Sequence, residues 1–506
     1  MEYVLSIDQG TSGSKALIFS IAGEIMASYT ASLNSCYPKP GFVEQDGNEI
    51  VASVLSAVKG AVSRFEEAGY SKKAVSAAGI SNQRESFLLW DRAGNPATPV
   101  IVWQCKRSIA VCSRLHQEAG LEENIRQRTG LRIDPYFSGT KLLYLIEEDR
   151  DLRARIRAGA LYFGTIDTWL MYKLFDAGGA GKRPFYTDPT NASRTLLMDL
   201  DTCAWDAGMG DLFGSRGLHL SEIRPSAFKD FSSSTFGGIF NTPIPITAAI
   251  GDSHAACFGE GCFSPGTVKA TMGTGSSVVM NTGARSHSRH GMVSTVCWSM
   301  ENRTDYALEG VIVSCASTLN WIQNKLGLAA DPKQLDALAE SVPDSGGVTF
   351  IPAFSGLGGP WWQMDRQAEI LGINFGTEAA HIVRAAVEAY PFQLKDVISA
   401  MEKDRGAALR WIKADGGLTH SNISMGMIAG LLETEVRIDK RHEASALGAA
   451  LLAFIGKGSL TFPEVEELAR NTVHESYLPG AKLDRELKSS YNRWLQRVRL
   501  PIKGSG

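Results

Sequence analysis

The sequence lacks the features by which several classes of protein are recognised. None of its eight cysteines forms a CxxC pair, and no Cys/His grouping has zinc spacing. Its 51 Lys and Arg residues nearly balance 54 Asp and Glu residues, so the basic excess typical of nucleic-acid-binding proteins is absent. No run of about 18 apolar residues predicts a transmembrane helix. We therefore expect reduced thiols in a cytoplasmic protein, with no nucleic-acid and no integral-membrane partner.

What is present is the composition of a globular protein. The chain has 506 residues, of which 44% are hydrophobic and 21% charged, and this length predicts two to four domains at about 100–200 residues each. The first ten residues, MEYVLSIDQG, place an acid at position 2 and Asp8 inside the apolar stretch. That pattern differs from a secretory leader, and we expect none.

Two segments about half a chain apart share one pattern. Residues 3–19 and 266–280 each contain a β-rich run, a turn rich in Gly, Ser and Thr, and a second β-rich run. This order is typical of a strand, a glycine turn and a returning strand. The pair predicts two related halves, each beginning with a hairpin of the kind that binds phosphate. The alternative is two ordinary hairpins within one large sheet.

Elsewhere the periodicity alternates between strand and helix, which favours an α/β architecture. The predicted elements are strands at 74–80, 243–252 and 409–414, and helices at 379–390 and 444–454. Pro391 should end or kink the first of these helices. The glycine-rich stretch 177–183 is typical of an exposed loop.

The first hairpin has the composition of an anion site. Asp8 ends a strand and is followed by a glycine-rich turn that carries Thr11, Ser12, Gly13 and Lys15. Turn N–H groups and hydroxyls can donate to phosphate oxygens, and a nearby carboxylate can hold hydrated Mg²⁺. The spacing is not that of a Walker loop.

Two later glycine turns repeat this chemistry. The second hairpin contains Thr274 between two glycines, and Gly416-Gly417 separates a predicted strand from a predicted helix. A Gly-Gly turn offers backbone against which a flat base can lie. The alternative for the last segment is a helix N-cap at Ser421 or Asn422.

Four polar loops look like a substrate site. They contribute Arg84 and Glu85, Trp103, Tyr136 and Asp252. Arginine and carboxylate groups can bind several hydroxyls at fixed geometry, and a carboxylate at a strand end can accept a hydroxyl proton during phosphoryl transfer. Each residue also has an ordinary alternative, as a surface charge, a core aromatic or a helix cap.

On these motifs the sequence resembles the FGGY family of carbohydrate kinases, and most of all its glycerol-phosphorylating members. The resemblance extends over most of the chain and rests on IDQGTSGSKA (7–16), GISNQRES (79–86), IVWQCKR (101–107), TNASRTLL (190–197), MGTGSS (272–277), YALEG (306–310) and ADGG (414–417). It implies two actin-like ATPase (ribonuclease H-like) α/β domains, residues 1–255 and 256–506, flanking a deep cleft. It also implies ATP and Mg²⁺, a small polyol or sugar as substrate, and a homo-oligomer of two or more chains.

The resemblance assigns roles by matching position. Asp252 matches the catalytic base, and Asp8 matches the acid near the metal. The polyol-binding set is Arg84, Glu85, Trp103, Tyr136, Asp252 and Ser253. The nucleotide-binding set is Thr11, Ser12, Gly13, Lys15, Thr274, Gly310, Ser314, Gly417 and Ser421.

Two departures from the family pattern bear on the substrate. Ser253 stands where these kinases usually have Gln, and Ser277 where they tend to have an aromatic residue. Both changes would enlarge the polyol pocket, although Phe87 could refill it. Phosphorylation of glycerol to glycerol 3-phosphate is the first prediction, and a C4–C5 polyol or ketose is the alternative substrate. A non-catalytic, sugar-dependent regulator is the second alternative, and the intact Asp8, Asp252 and NQRE loop disfavour it.

Overall fold

The fold is that of a computed structural model, which describes residues 2–175, 183–439, 443–480 and 485–500. Of the predicted loop 177–183, residues 177–182 lie outside this range.

The described strands are β1 (Tyr3–Gly10), β2 (Gly13–Ser20), β3 (Ile25–Ser32), β4 (Glu44–Gln45), β5 (Val75–Asn82), β6 (Phe87–Asp91), β7 (Val100–Ile101), β8 (Leu161–Thr165), β9 (Tyr186–Thr187), β10 (Met198–Asp199), β11 (Ala204–Trp205), β12 (His219–Leu220), β13 (Glu222–Ile223), β14 (Ala227–Ser234), β15 (Ile244–Gly251), β16 (Thr267–Met272), β17 (Ser276–Gly283), β18 (Val293–Met300), β19 (Arg303–Ile312), β20 (Thr349–Ile351), β21 (Glu369–Leu371), β22 (Trp411–Asp415), β23 (Val436–Asp439) and β24 (His474–Tyr477).

The described α-helices alternate with these strands. They are α1 (Gly47–Glu67), α2 (Ile109–Leu115), α3 (Leu121–Thr129), α4 (Ser138–Glu148), α5 (Arg150–Arg157), α6 (Ile166–Leu174), α7 (Pro189–Ala192), α8 (Ala207–Leu212), α9 (Asp252–Gly259), α10 (Ala316–Asn324), α11 (Pro332–Glu340), α12 (Ala379–Arg405), α13 (Asn422–Leu432), α14 (Ala444–Lys457), α15 (Phe462–Arg470) and α16 (Arg485–Val498). None of these helices is both long enough and apolar enough to cross a membrane.

Two mixed sheets organise the chain, and they share one strand pattern. The first has the order β14-β15-β5-β1-β2-β3, and the second has the order β18-β19-β17-β16-β22-β23-β24. In each, a hairpin (β1–β2 or β16–β17) is extended on one side by an antiparallel strand and on the other by parallel strands. This correspondence agrees with the two related hairpins identified in the sequence.

Helices cover the sheets and bury their apolar residues. One face of the first sheet packs on α1 and α6, and its other face packs on α9 and α14. The second sheet packs on α12 and α13. Helix α14 lies in sequence between β23 and β24 of the second sheet but contacts β5, β1 and β15 of the first, so it ties the two halves together.

The structure differs from the sequence prediction at Pro391. Helix α12 does not end there but runs from Ala379 to Arg405. The missing N–H of a proline normally disfavours a helix interior. Here most residues from Val383 to Met401 are buried. The stabilisation from this packing outweighs the local cost of the proline.

Candidate active site

A cavity of about 1020 Å³ lies between the two halves; we call it the large cavity. It brings together ten predicted site residues from distant parts of the chain. They are Thr11, Ser12, Arg84, Glu85, Trp103, Tyr136, Asp252, Ser253, Thr274 and Ser314. The loops that follow β1, β5 and β15 supply several of them, because these strands are parallel neighbours and end at the same edge of the sheet.

Asp252 sits where β15 ends and α9 begins. Its Oδ1 accepts hydrogen bonds from the Arg84 Nε at 3.1 Å and from the Ser253 backbone N–H at 2.6 Å. Within the described residues, the hydrogen bonds to this carboxylate fall on Oδ1 alone. The Asp252 side chain is 38% exposed and lines the large cavity, so a hydroxyl group that enters the cavity can reach it.

Arg84 is held by a carboxylate from the other half of the chain. Its Nη1 and Nη2 donate to Oε2 and Oε1 of Glu309, both at 2.8 Å, while Nη2 also donates to Ser253 Oγ at 3.0 Å. Glu309 lies on β19 and is fully buried. Glu309 has no role among the residues predicted from the sequence, although a single acid within the apolar run of β19 was an available signal.

Glu85 is held by a second buried arginine that the sequence analysis also missed. Arg194 donates through Nε to Glu85 Oε1 at 2.6 Å, and its Nη1 lies 2.9 Å from Glu309 Oε2. Glu85 has a φ of 58°, a left-handed conformation that costs a non-glycine residue about 1–3 kcal/mol. Its ion pair with Arg194 fixes this conformation next to Arg84.

Two aromatic residues form an apolar wall of the large cavity. The rings of Trp103 and Tyr136 meet edge to face, with centroids 5.5 Å apart. Trp103 Nε1 donates to Thr11 Oγ1 at 2.9 Å, so the wall is joined to the first glycine turn. The apolar ring faces can contact carbon atoms while the carboxylates and Arg84 bind hydroxyls.

The space near the two unusual serines is not refilled by Phe87. That side chain is fully buried and packs on Phe163 with ring centroids 5.3 Å apart. Ser253 and Ser277 both line the large cavity, and Ser277 Oγ donates to Glu309 Oε1 at 2.7 Å. The cavity wall is therefore polar at this point.

A second cavity, of about 610 Å³, lies beside the first; we call it the small cavity. Asp8 lines it together with Asp415, Gly416 and Gly417. Gly416 has a φ of 95°, and a Cβ there would lie 2.6 Å from the Met272 carbonyl oxygen. A Cβ at Gly417 would meet nothing within 4 Å, so this turn presents an open backbone surface.

Asp8 has the properties of a carboxylate that could hold a cation. Burial and the Asp252 carboxylate raise the pKa of Asp8 to about 6. The hydroxyl of Ser81 donates to Asp8 Oδ1 at 3.0 Å. A divalent cation would relieve the repulsion between Asp8 and Asp252. No cluster of three or more His, Cys, Asp or Glu residues suited to a metal occurs in the described ranges.

Four residues of the predicted nucleotide set line neither cavity in the described structure. Gly13 packs against β3, where a Cβ would lie 2.6 Å from the Ala31 carbonyl oxygen. Lys15 Nζ pairs with the Glu443 carboxylate at 2.8 Å. A Cβ on Gly310 would meet Val397 of α12 at 2.5 Å, so its Cα faces the core.

The fourth residue, Ser421, has the role given as the alternative for its segment. It is the N-cap of α13 and accepts from the Ser424 N–H. Its hydroxyl donates to Asp336 Oδ1 at 2.9 Å.

Comparisons with known proteins agree with this architecture. The N-terminal domain model of the FGGY family of carbohydrate kinases matches residues 3–259, and the C-terminal domain model matches residues 268–456. A glycerol kinase of Citrifermentans bemidjiense is 41% identical over 506 residues, which cover 99% of each chain. Glycerol kinase 2 of Thermotoga maritima is 37% identical, with 98% of each chain covered.

Solved structures also agree with this architecture. The crystal structure of Plasmodium falciparum glycerol kinase with ADP matches with a TM-score of 0.90 at 31% identity, over 99% of each chain. A xylulose kinase from Rhodospirillum rubrum matches with a TM-score of 0.84 at 18% identity, over 98% of each chain. At that lower identity the likeness shows the fold alone.

Proposed function

Because this chain belongs to the FGGY family of carbohydrate kinases, we propose that it transfers the γ-phosphoryl group of ATP to a hydroxyl of glycerol. The observation that carries this proposal is the large cavity, whose lining brings Asp252, Arg84 and Glu85 together with the Trp103–Tyr136 pair. The glycerol kinases with full-length similarity support glycerol as the substrate.

In the proposed mechanism the polyol lies between the aromatic wall and the charged residues. Arg84 and Glu85 bind hydroxyls, and the ring faces of Trp103 and Tyr136 contact the carbon chain. Asp252 Oδ2 accepts the proton of the attacking hydroxyl, which makes that oxygen a better nucleophile. Phosphoryl transfer of this kind depends on positioning and charge neutralisation and needs no covalent intermediate on the protein.

The nucleotide is proposed to enter from the small cavity. Its base would lie against Gly417, and its phosphates would reach Thr11, Ser12 and Thr274 at the edge of the large cavity. Asp8 would hold Mg²⁺, which supplies charge neutralisation for the phosphates when bound. The predicted roles of Gly13, Lys15, Gly310 and Ser421 have less support, since these residues line neither cavity.

One observation favours a second candidate substrate. Ser253 and Ser277 leave a polar space in a cavity of about 1020 Å³, and Phe87 is buried elsewhere. A C4–C5 polyol or ketose would place an additional hydroxyl in this space. We therefore keep such a substrate as the alternative to glycerol.

Three further sequence predictions stay proposals. A domain boundary near 255/256 is supported by the change from the first sheet to the second, although α14 returns to the first. A homo-oligomer and a cytoplasmic location rest on the family resemblance and the cysteine pattern. Light scattering after size-exclusion chromatography tests the oligomer directly.

The proposed reaction is tested by ADP release from Mg-ATP, with and without polyol. We expect glycerol to stimulate release with saturation kinetics, and to do so with a higher kcat/KM than erythritol, xylitol or xylulose. If no polyol or ketose stimulates ADP release above the rate without acceptor, the proposed function is wrong.

A further inference from the structure

Glu309 has an unusual position for a buried acid. It belongs to β19 of the second sheet, yet its charged partners are Arg84 and Arg194, which belong to the first half of the chain. All three side chains are at most 3% exposed. A buried carboxylate is costly unless it is paired and hydrogen bonded. The burial of Glu309 therefore depends on Arg84 and Arg194.

The pairs form a continuous series of alternating charge. The order is Asp252, Arg84, Glu309, Arg194 and Glu85, with closest N–O distances of 3.1, 2.8, 2.9 and 2.6 Å. Glu309 is the central member, and the two ends are carboxylates that line the large cavity. Each cavity carboxylate is thus connected to Glu309 through one arginine.

Glu309 lies between two arginines that favour its charged form. Burial alone would raise the pKa of Glu309, but the adjacent Arg194 and Arg84 guanidinium groups hold it well below its usual range. The two guanidinium groups therefore favour the ionised form of the Glu309 carboxylate. Its two oxygens accept both ends of the Arg84 fork, which fixes the plane of that guanidinium.

The orientation of Arg84 determines where Asp252 can lie. With Nη1 and Nη2 on Glu309, the Nε of Arg84 points at Asp252 Oδ1. The contact on Oδ1 leaves Oδ2 available to accept a proton. On the other side, Arg194 holds Glu85 in its left-handed conformation.

We propose that Glu309 is a positioning residue that orients Arg84 and Arg194, and through them the Asp252 and Glu85 carboxylates that face the polyol. Because Glu309 comes from the second sheet, it makes the geometry of the polyol site depend on the contact between the two halves. This inference rests on the proposed function and assigns a role to a residue outside the cavity lining.

The test compares two Glu→Gln variants at buried, arginine-paired positions. Glu309→Gln removes the central charge with little change in volume. Glu388→Gln is the matched control, since Glu388 is 1% exposed and accepts from Arg384 Nε at 2.8 Å within α12. Thermal unfolding of both variants measures the structural cost, and steady-state kinetics with glycerol and Mg-ATP measure the effect on the site.

We expect Glu309→Gln to raise the KM for the polyol and lower kcat, so that kcat/KM for the polyol falls by about a hundredfold. The KM for Mg-ATP should stay within about twofold, because the nucleotide residues lie outside the charge series. Glu309→Asp, which keeps the charge, should recover part of the loss. Glu388→Gln should change the unfolding temperature without raising the polyol KM.

Polyol binding measured by calorimetry without nucleotide separates this inference from the proposed reaction. If the wild type binds a polyol without phosphorylating it, the proposed reaction is wrong, and weaker binding by Glu309→Gln still supports the positioning role. The inference is overturned if Glu309→Gln, correctly folded, binds the polyol as the wild type does. It is also overturned if Glu309→Gln weakens polyol and nucleotide equally, or if the wild type binds no polyol.

Discussion

The two cavities are built on different principles. The charged side of the large cavity consists of side chains in buried ion pairs, with Arg84 and Arg194 each held by two carboxylates. The small cavity combines the backbone of the Gly416–Gly417 turn with carboxylates such as Asp8 and Glu443, and among the described residues it has no counterpart of the arginine-centred charge series. A polyol must be recognised by the directions of its hydroxyls, which requires side chains held in place. A nucleotide base needs only a flat surface, which glycine supplies.

This difference predicts that the largest loss of activity comes from the large cavity. Asp252→Asn keeps a polar contact with Arg84 but cannot accept a proton at neutral pH. We expect kcat to fall by about a hundredfold to ten-thousandfold, the usual contribution of a general base. Nucleotide binding measured by calorimetry should be nearly unchanged. Turnover close to the wild-type rate would exclude Asp252 as the base.

The buried pairs should also dominate the stability of this region. Arg194→Met leaves Glu85 without its partner, and we expect the free energy of unfolding to fall by about 3–5 kcal/mol. Urea denaturation measures this loss. Arg216→Met is the control, because the Arg216–Asp211 pair is 81% and 48% exposed and should contribute less than about 1 kcal/mol. Equal effects of the two substitutions would contradict the account.

Asp8, which lines the small cavity, should make the proposed magnesium requirement depend on pH. The pKa of Asp8 is raised to about 6, so the carboxylate is protonated below that pH and ionised above it. Protons and Mg²⁺ then compete, and the Mg²⁺ concentration for half-maximal activity should rise up to about tenfold per pH unit below pH 6. This Mg²⁺ concentration should not change from pH 7 to 8. Titrations of activity with Mg²⁺ at several pH values test this, and a requirement independent of pH would argue against Asp8.

The smallest effect is expected at the glycine turn. Gly417→Ala places a methyl group in open space, so the unfolding temperature should stay unchanged. The methyl group should obstruct the nucleotide base by about 1 kcal/mol, roughly a fivefold rise in the KM for ATP. Gly416→Ala should instead lower the unfolding temperature, because its φ is 95° and its Cβ would lie against Met272. An unchanged KM for ATP in Gly417→Ala would place the base elsewhere.

The sequence could predict those features of the fold and the site that depend on local patterns. The glycine turns and the hairpins are local patterns, and the structure has both hairpins close to their predicted positions. The two-domain α/β kinase fold is confirmed by the family models and by the match to the P. falciparum enzyme. The sequence predicted that Pro391 would end or kink its helix, and the helix end was wrong because burial along α12 outweighs a local preference.

The charge series could not be predicted in the same way. Glu309 and Arg84 are 225 residues apart in sequence, and Arg84 and Asp252 are 168 apart. Their contact depends on how β19 meets the loops of the first sheet, and no local pattern encodes that. The buried position of Phe87 likewise follows from its packing on Phe163, which a single sequence does not reveal.

The most direct test of the account identifies the product. Glycerol, erythritol and xylulose are mixed in equal amounts with limiting Mg-ATP, and the phosphorylated products are identified by phosphorus NMR. We expect glycerol 3-phosphate as the main product, formed in proportion to the ATP consumed. If a C4 or C5 phosphate dominates, the preferred substrate is the alternative one and not glycerol. If ATP is consumed and no phosphorylated polyol or ketose forms, the chain is not the kinase proposed here.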